Sequence, residues 1–305
     1  MFITQHTHDN SNVEIRTNSP LIAVHGGAGD YSNRPELLEL RRKTIIEIIE
    51  KAWPRLLRGE AAMTVAQFVI EQLEAAPVFN AGLGSVLQSD GMARLSASVM
   101  DGEKQKFSGV MLVTHLNHPS KLAFALQQKE QTVLGPLGAQ LLAREMGLPP
   151  DSAVSPQRAQ QWADHIKQHA PGEGGHGTVG VVIKDLVGKL VASTSTGGWT
   201  ANVPERVSDV VTVAGNYASG FAAISCTGIG EEIVNDAVAA RIESRVRDGA
   251  TVIDASQRTL QEANELQRQY GWIGLDHNGN LAMACTQDMP CAAMSGDFDV
   301  PLIGQ

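Results

Sequence analysis

The residues of this chain best placed to do chemistry are hydroxyls set against glycine. Gly172-Glu173-Gly174-Gly175-His176-Gly177-Thr178 runs straight into the apolar stretch Val179 to Lys184. A threonine hydroxyl is a poor nucleophile at neutral pH and needs a base within hydrogen-bond reach. Its own α-amine can be that base. If the Gly177-Thr178 bond is cut, Thr178 becomes an N-terminus whose amine has a reference pKa of roughly 7.7–8. Glycines ahead of it give the uncut loop the freedom to bring the hydroxyl onto the Gly177 carbonyl. The same segment also reads as a plain linker entering a strand, with Thr178 a β-former.

Three further groups have the right types. Ser193-Thr194-Ser195-Thr196-Gly197-Gly198 ends the run that comes after Val179 to Lys184. Alternation puts Thr194 and Thr196 on one face, and hairpin pairing brings Thr196 beside Thr178. Cys226-Thr227-Gly228-Ile229-Gly230-Glu231 passes from a strand through glycines into a helix, where free N–H groups can take a carboxylate or an oxyanion. In Pro204-Glu205-Arg206-Val207-Ser208-Asp209 the arginine fork suits an α-carboxylate and the aspartate an α-ammonium. Each also has an ordinary reading, as a hydroxyl-rich strand end, a tight connection or a surface ion pair. Other chemistries are absent: there is no G-x-S-x-G, no Walker A, no G-x-G-x-x-G after a strand and no H-E-x-x-H. His25, alone at a strand end, reads as a structural hydrogen-bonder.

The elements that must position these groups alternate between strand and helix patterns. Leu21 to His25 is a buried strand entering Gly26-Gly27-Ala28-Gly29-Asp30. A helix comes next, started at Asn33 and Pro35, with Leu38, Ile45, Ile49 and Trp53 on one face. Thr64 and Gln67 form a capping-box pattern for a second helix carrying Val65, Phe68, Val69 and Leu73. A hairpin is expected over 94–100 and 107–115, and helices between 120 and 168. Hairpins recur at 179–194 and 271–285, a strand falls at 222–226, and helices fall at 231–246 and 251–269. Strands clustered in hairpins with helices around them predict antiparallel sheets covered by helices, an α+β architecture.

With 305 residues the chain can form one large domain or two ordinary ones. A net charge of -9 without a Lys/Arg block gives no footprint for nucleic acid or an anionic membrane, so small solutes are the expected partners. No apolar run reaches membrane-spanning length, and no signal peptide is legible at the N-terminus. Three cysteines, Cys226, Cys285 and Cys291, make neither a disulfide framework nor a zinc site, which points to the cytoplasm. Residues 1–20 read as a flexible polar arm ahead of a single domain over 21–305.

Taken together and in order, these segments give the chain an identifiable kin. Ile22 to Gly29, Phe79 to Leu87, Ser98 to Gly102, His176 to Val182, Ser193 to Thr200, Pro204 to Asp209, Ser225 to Gly230 and Leu275 to Met289 span nearly its whole length. In them it resembles the plant-type L-asparaginases and isoaspartyl peptidases, threonine-type N-terminal nucleophile hydrolases. The resemblance implies a four-layer αββα sandwich, made as a precursor that cuts itself into chains 1–177 and 178–305. It implies Thr178 as nucleophile, Thr196 beside it, and Thr227 with the Gly228 N–H as oxyanion hole. It assigns Arg206 to the substrate α-carboxylate, and Asp209 with the Gly230 carbonyl to the α-amine. It implies no cofactor for catalysis, a structural Na+ or K+ on the carbonyls of Leu73, Glu74, Ala76, Phe79, Ala81 and Leu83, and a dimer of processed αβ units. The substrate would be L-asparagine or a β-aspartyl dipeptide. A sugar-asparagine amidase and a non-cleaving amino-acid-binding relative are the alternatives.

The chain departs from the family where the substrate loop lies. The family commonly reads Pro-Gly-Arg-Val-Gly-Asp-Ser-Pro where Pro204 to Val211 stand, so Glu205, Ser208, Val210 and Val211 are local changes. Ser96 stands where an aspartate is usual, Tyr270-Gly271-Trp272 where the family is glycine-rich, and Trp199 comes directly after the Gly197-Gly198 turn.

Overall fold

The computed structural model describes residues 13–16, 19–168, 177–297 and 301–304. The glycine-rich run 172–176 lies outside them, as does 1–12 of the expected arm. In chain order the strands and helices are β1 (Val13–Arg16), β2 (Leu21–His25), α1 (Pro35–Leu57), α2 (Ala62–Ala75), β3 (Leu95–Asp101), β4 (Lys106–Val113), α3 (Pro119–Leu126), β5 (Val133–Leu134), α4 (Pro136–Glu145) and α5 (Pro156–Gln168). After these come β6 (Val179–Lys184), β7 (Leu190–Thr196), β8 (Asn216–Ala218), β9 (Ala222–Gly228), α6 (Gly230–Asp236), α7 (Val238–Arg247), α8 (Val252–Glu265), β10 (Tyr270–Asp276), β11 (Asn280–Cys285), β12 (Cys291–Ser295) and β13 (Leu302–Gly304).

Among the described residues these strands make two sheets, with orders β13-β12-β2-β6-β7-β3-β4-β5 and β1-β11-β10-β9-β8. Pairing is antiparallel except between β4 and β5, whose parallel register results from the crossover through α3. The α+β expectation holds. Strand alternation sends neighbouring residues to opposite faces, and in the larger sheet both faces are apolar. Ala23, Val182 and Ala192 pack with Ala223, Ile273, Leu281 and Met283 of the smaller sheet. Ile22, Val181 and Ile183 pack the other way, against Ile45 and Ile49 of α1 and Val65 and Val69 of α2. The smaller sheet turns Ile224, Trp272 and Ala282 outward onto Ile242 and Val246 of α7 and Val252 and Leu260 of α8. Burial on both faces explains why Leu21 to Val24 reads as a continuous apolar run rather than an alternating one.

Four local expectations are corrected. The capping box at Thr64 and Gln67 does not form, because α2 begins two residues earlier, at Ala62. Its cap comes from the β6–β7 turn: Asp185 Oδ2 accepts from the Ala62 N–H at 3.0 Å. The helix expected over 231–246 breaks into α6 and α7 at Ala237, which adopts φ +49°. Within the arm expected over 1–20, Val13–Arg16 pairs with β11. Strands β8, β12 and β13 complete the sheets beyond the expected hairpins. No helix among the described residues is long and apolar enough to cross a membrane.

Candidate active site

The site forms where β6 begins. Val179 pairs with Ser195 and Gly180 with Thr194, so one step back sets Thr178 opposite Thr196, the last residue of β7. Thr178 is buried. Thr196 and Thr194 share the face toward the smaller sheet, where Thr194 Oγ1 meets Ser225 Oγ of β9 at 2.7 Å. Ser195 points the other way and donates to Glu74 Oε1 at 2.7 Å.

β9 delivers Thr227 to the same point. Its Oγ1 accepts from the Thr178 N–H at 3.2 Å and from the Ala28 N–H at 3.0 Å. Thr227 therefore ties Thr178 to the Gly26-Gly27-Ala28 loop at the end of β2. Gly27 has φ +108°, and a Cβ there would lie 2.6 Å from the Gly177 Cα. Only glycine permits this loop to press against Gly177. The next residue of β9, Gly228, has φ +132°, and a Cβ would meet the Gln269 carbonyl oxygen at 2.5 Å. The turn that carries the expected oxyanion N–H is thus also restricted to glycine.

Below Thr178, between the sheets, His25 Nε2 lies 2.8 Å from Ser225 Oγ. Burial pushes the imidazole down to about 3, with the Thr178 backbone offsetting part of the shift. A neutral His25 packed under Thr178 is the structural hydrogen-bonder that its strand-end position indicates. Asn80 supports the site from the loop after α2. Its backbone carbonyl accepts from Gly197 N–H at 2.9 Å and its Nδ2 donates to the Gly198 carbonyl at 2.7 Å, fixing the end of β7. Sequence reasoning missed this role of Asn80, since a single amide in a glycine-rich loop carries no signal of its partner.

The cleft that Thr178 and Thr196 line is lined also by Arg206, Ser208, Asp209, Gly230 and Trp199. Asp209 is buried, and burial pushes its carboxyl up to about 6 against the pull of the Arg206 charge. Its Oδ2 and the Ser208 Oγ have no hydrogen-bond partner. Arg206 directs its fork at Glu231, Nε to Oε1 at 2.7 Å and Nη2 to Oε2 at 2.6 Å. A Cβ on Gly230 would lie 2.6 Å from Asp209 Oδ1 and 2.7 Å from Arg206 Nη2, so both charged groups reach that backbone. One cleft therefore holds a hydroxyl together with a guanidinium fork and a buried carboxyl, groups of the kind that engage an α-amino acid.

The loop expected to hold an alkali ion is tightly wound. Leu73, Ala76 and Ala81 carbonyls each accept one backbone N–H, at 3.3, 3.2 and 3.1 Å. A Cβ on Gly82 would meet the Glu74 carbonyl oxygen at 2.2 Å, and one on Gly84 the Phe79 oxygen at 2.1 Å. The Glu74 side chain is not a free donor: Ser120 N and Oγ, Ser195 Oγ and His118 Nδ1 surround it at 2.6 to 3.3 Å. Among the described residues no three His, Cys, Asp or Glu side chains converge. The available donors are neutral carbonyls, which suit a hard monovalent cation.

A family model described as Asparaginase matches residues 18–303. An isoaspartyl peptidase/L-asparaginase of Nostoc sp. is 42% identical over 289 residues, covering 90% of this chain and 91% of its own. The isoaspartyl peptidase of Salmonella typhimurium is 34% identical over 310 residues, 94% of this chain and 98% of its own. A plant-type L-asparaginase of Pyrococcus abyssi is 32% identical over 307 residues, 93% of this chain and 99% of its own.

Proposed function

Since the chain belongs to the asparaginase family, we propose that it is a self-processing amidohydrolase built as a four-layer αββα sandwich, acting on the side-chain amide of L-asparagine or on β-aspartyl dipeptides. The relatives named for both activities support the substrate class. The observation that carries the reading is the meeting of Thr178, Thr196 and Thr227 at the Gly177-Thr178 bond, with Arg206 and the buried Asp209 carboxyl lining the same cleft and Asp209 Oδ1 set against Gly230.

Processing comes first. Thr178 Oγ adds to the Gly177 carbonyl carbon, the C–N bond breaks, and the hydroxyl proton passes to the departing nitrogen, leaving an ester. Water then splits the ester: its hydroxyl stays on Gly177 and its proton returns to Thr178 Oγ. Thr178 now has a free amine, the base its hydroxyl lacked in the uncut chain. In turnover the amine takes the Oγ proton as Oγ attacks the amide carbon. It returns the proton to the leaving nitrogen, and water resolves the acyl-enzyme by the reverse sequence. Thr227 and the Gly228 N–H stabilise the developing oxyanion, and Thr196 holds Oγ in line.

Arg206 takes the α-carboxylate, displacing Glu231, whose side chain is half-exposed and whose pair with Arg206 is correspondingly weak. Asp209 takes the α-ammonium together with the Gly230 carbonyl, through Oδ1, the carboxyl oxygen that faces Gly230. The carbonyls of Leu73, Glu74, Ala76, Phe79, Ala81 and Leu83 hold Na+ or K+, an ion that would stiffen the loop ending at Asn80 and supplies no chemical step. The processed αβ unit dimerises and works in the cytoplasm.

Kinetics on the cut protein test the substrate assignment. Asparagine and β-aspartyl-leucine are expected to be hydrolysed, with aspartate as the common product. Activity confined to sugar-linked asparagine would reassign the enzyme within its superfamily. Stoichiometric amino-acid binding without turnover would make it a binding protein.

A further inference from the structure

Self-cleavage by Thr178, on which this inference rests, leaves two new charges inside the protein: an amine on Thr178 and a carboxylate on Gly177. The second is strongly unfavourable in a buried position unless it finds a cation. Gly177 is buried.

Arg41, on α1, stands on the Gly177 side of the scissile bond. It is 4% exposed, and its Nη1 would lie 3.6 Å from a Cβ on Gly177. Its Nε donates to the Val78 carbonyl at 3.0 Å and its Nη1 to the Tyr31 hydroxyl, which itself donates to the Gly27 carbonyl at 3.0 Å. The guanidinium carbon lies 5.4 Å from the centre of the Tyr31 ring and 6.0 Å from that of Phe79. No carboxylate among the described residues pairs with it. Asp288, which accepts from the Tyr31 backbone N–H at 3.3 Å, serves the neighbouring backbone. Burial of an arginine without an acid is unusual. Arg158 of α5 adds to the imbalance, since its guanidinium is pushed down to about 10 by burial and by the charges of Arg41 and Arg34.

We propose that Arg41 is the receiving site for the Gly177 carboxylate released by self-cleavage. Rotation about the last Cα–C bond of the cut α chain turns the carboxylate away from Thr178 and toward the guanidinium that Tyr31 holds in place. The place beside Thr178 Oγ that the Gly177 carbonyl occupied is thereby cleared for the substrate carbonyl. Gly177 and Thr178 line the substrate cleft and Arg41 does not, which favours the chain's own carboxylate over that of a dipeptide leaving group.

The test compares wild type, Arg41→Met and Arg41→Lys, each purified under native conditions, shown to be cut by intact mass, and incubated with a carboxypeptidase. Wild type is expected to keep Gly177, Arg41→Met to lose it roughly 10- to 100-fold faster, and Arg41→Lys to fall between, as loss of a charged hydrogen bond predicts. Equal loss from wild type and Arg41→Met overturns the proposal. So does unchanged trimming in Arg41→Met with a raised KM for β-aspartyl dipeptides alone, which assigns Arg41 to the leaving group. A crystal structure of the cut wild type decides the matter even if the variants fail to fold. Gly177 carboxylate oxygens on Arg41 support the proposal, and a carboxylate directed elsewhere refutes it. A wild type that is never cut removes self-processing itself, a result distinct from a cut chain with a loose Gly177.

Discussion

Asp209 and Thr227 make the roles of single residues measurable. Burial raises the Asp209 carboxyl to about 6, so in the free enzyme its ionised form is disfavoured. The contribution of Asp209 to stability is then greatest below the ordinary carboxylate range, is lost as pH rises to about 6, and levels off above it. Substrate binding runs the other way, because the α-ammonium needs the ionised carboxyl. kcat/KM should show an inflection near pH 6 from Asp209, below the one that protonation of the Thr178 amine gives at higher pH. In Asp209→Asn the lower inflection should vanish and KM should rise at least about 100-fold, while thermal unfolding at about pH 8 gains on the order of 2 kcal/mol. A lower inflection that survives the substitution belongs to another group. Thr227→Val keeps shape and removes the hydroxyl; kcat should fall roughly 10²- to 10³-fold with KM little changed. A change in KM alone would make Thr227 a binding residue. Residue type singled out Thr178, Thr196, Arg206 and Asp209 in the sequence, the resemblance to a family supplied their expected roles, and the structure brings the four to one cleft. Arg41 and Asn80 were not legible there, since what gives them meaning is contact with Gly177 and Gly197, far along the chain.

Elements were legible where local chemistry decides them and obscure where a distant residue does. The hairpins formed as read, because β6 with β7 and β10 with β11 are joined by short turns. The start of α2 did not, because Asp185 supplies its cap from 123 residues away. The same carboxylate accepts from the Val187 and Lys189 N–H groups, so one side chain closes the β6–β7 turn and caps the helix against it. Asp185→Ala should therefore cost about 2 kcal/mol, at the upper end of a cap replacement, measured by urea unfolding. A cost under about 0.5 kcal/mol would mean that water replaces the carboxylate at all three groups. The break at Ala237 had no glycine or proline to announce it. Ala240 and Ala239 N–H groups reach the Val213 and Ala214 carbonyls there, so tertiary contacts offset a conformation that local preference disfavours.

At the scale of the whole molecule, cutting at Gly177-Thr178 need not separate the two pieces. Strand β2 of the first piece lies between β12 and β6 of the second, and β3 of the first pairs with β7 of the second. The cut chains should co-elute on native gel filtration and part only on unfolding; separation under native conditions would contradict this interleaving. The two-sheet frame was legible in the clustering of hairpins, whereas β1, β8 and β13 were too short to register against polar surroundings. The central claim is that Thr178 cuts its own chain and then uses the freed amine. Intact-mass analysis of purified wild type and Thr178→Ala, with asparaginase activity on the same samples, tests it most directly. Wild type should appear as chains 1–177 and 178–305 and be active, and Thr178→Ala as one uncut chain with activity lost by on the order of 10⁴-fold or more. An uncut wild type with full activity, or a cut and active Thr178→Ala, would contradict it.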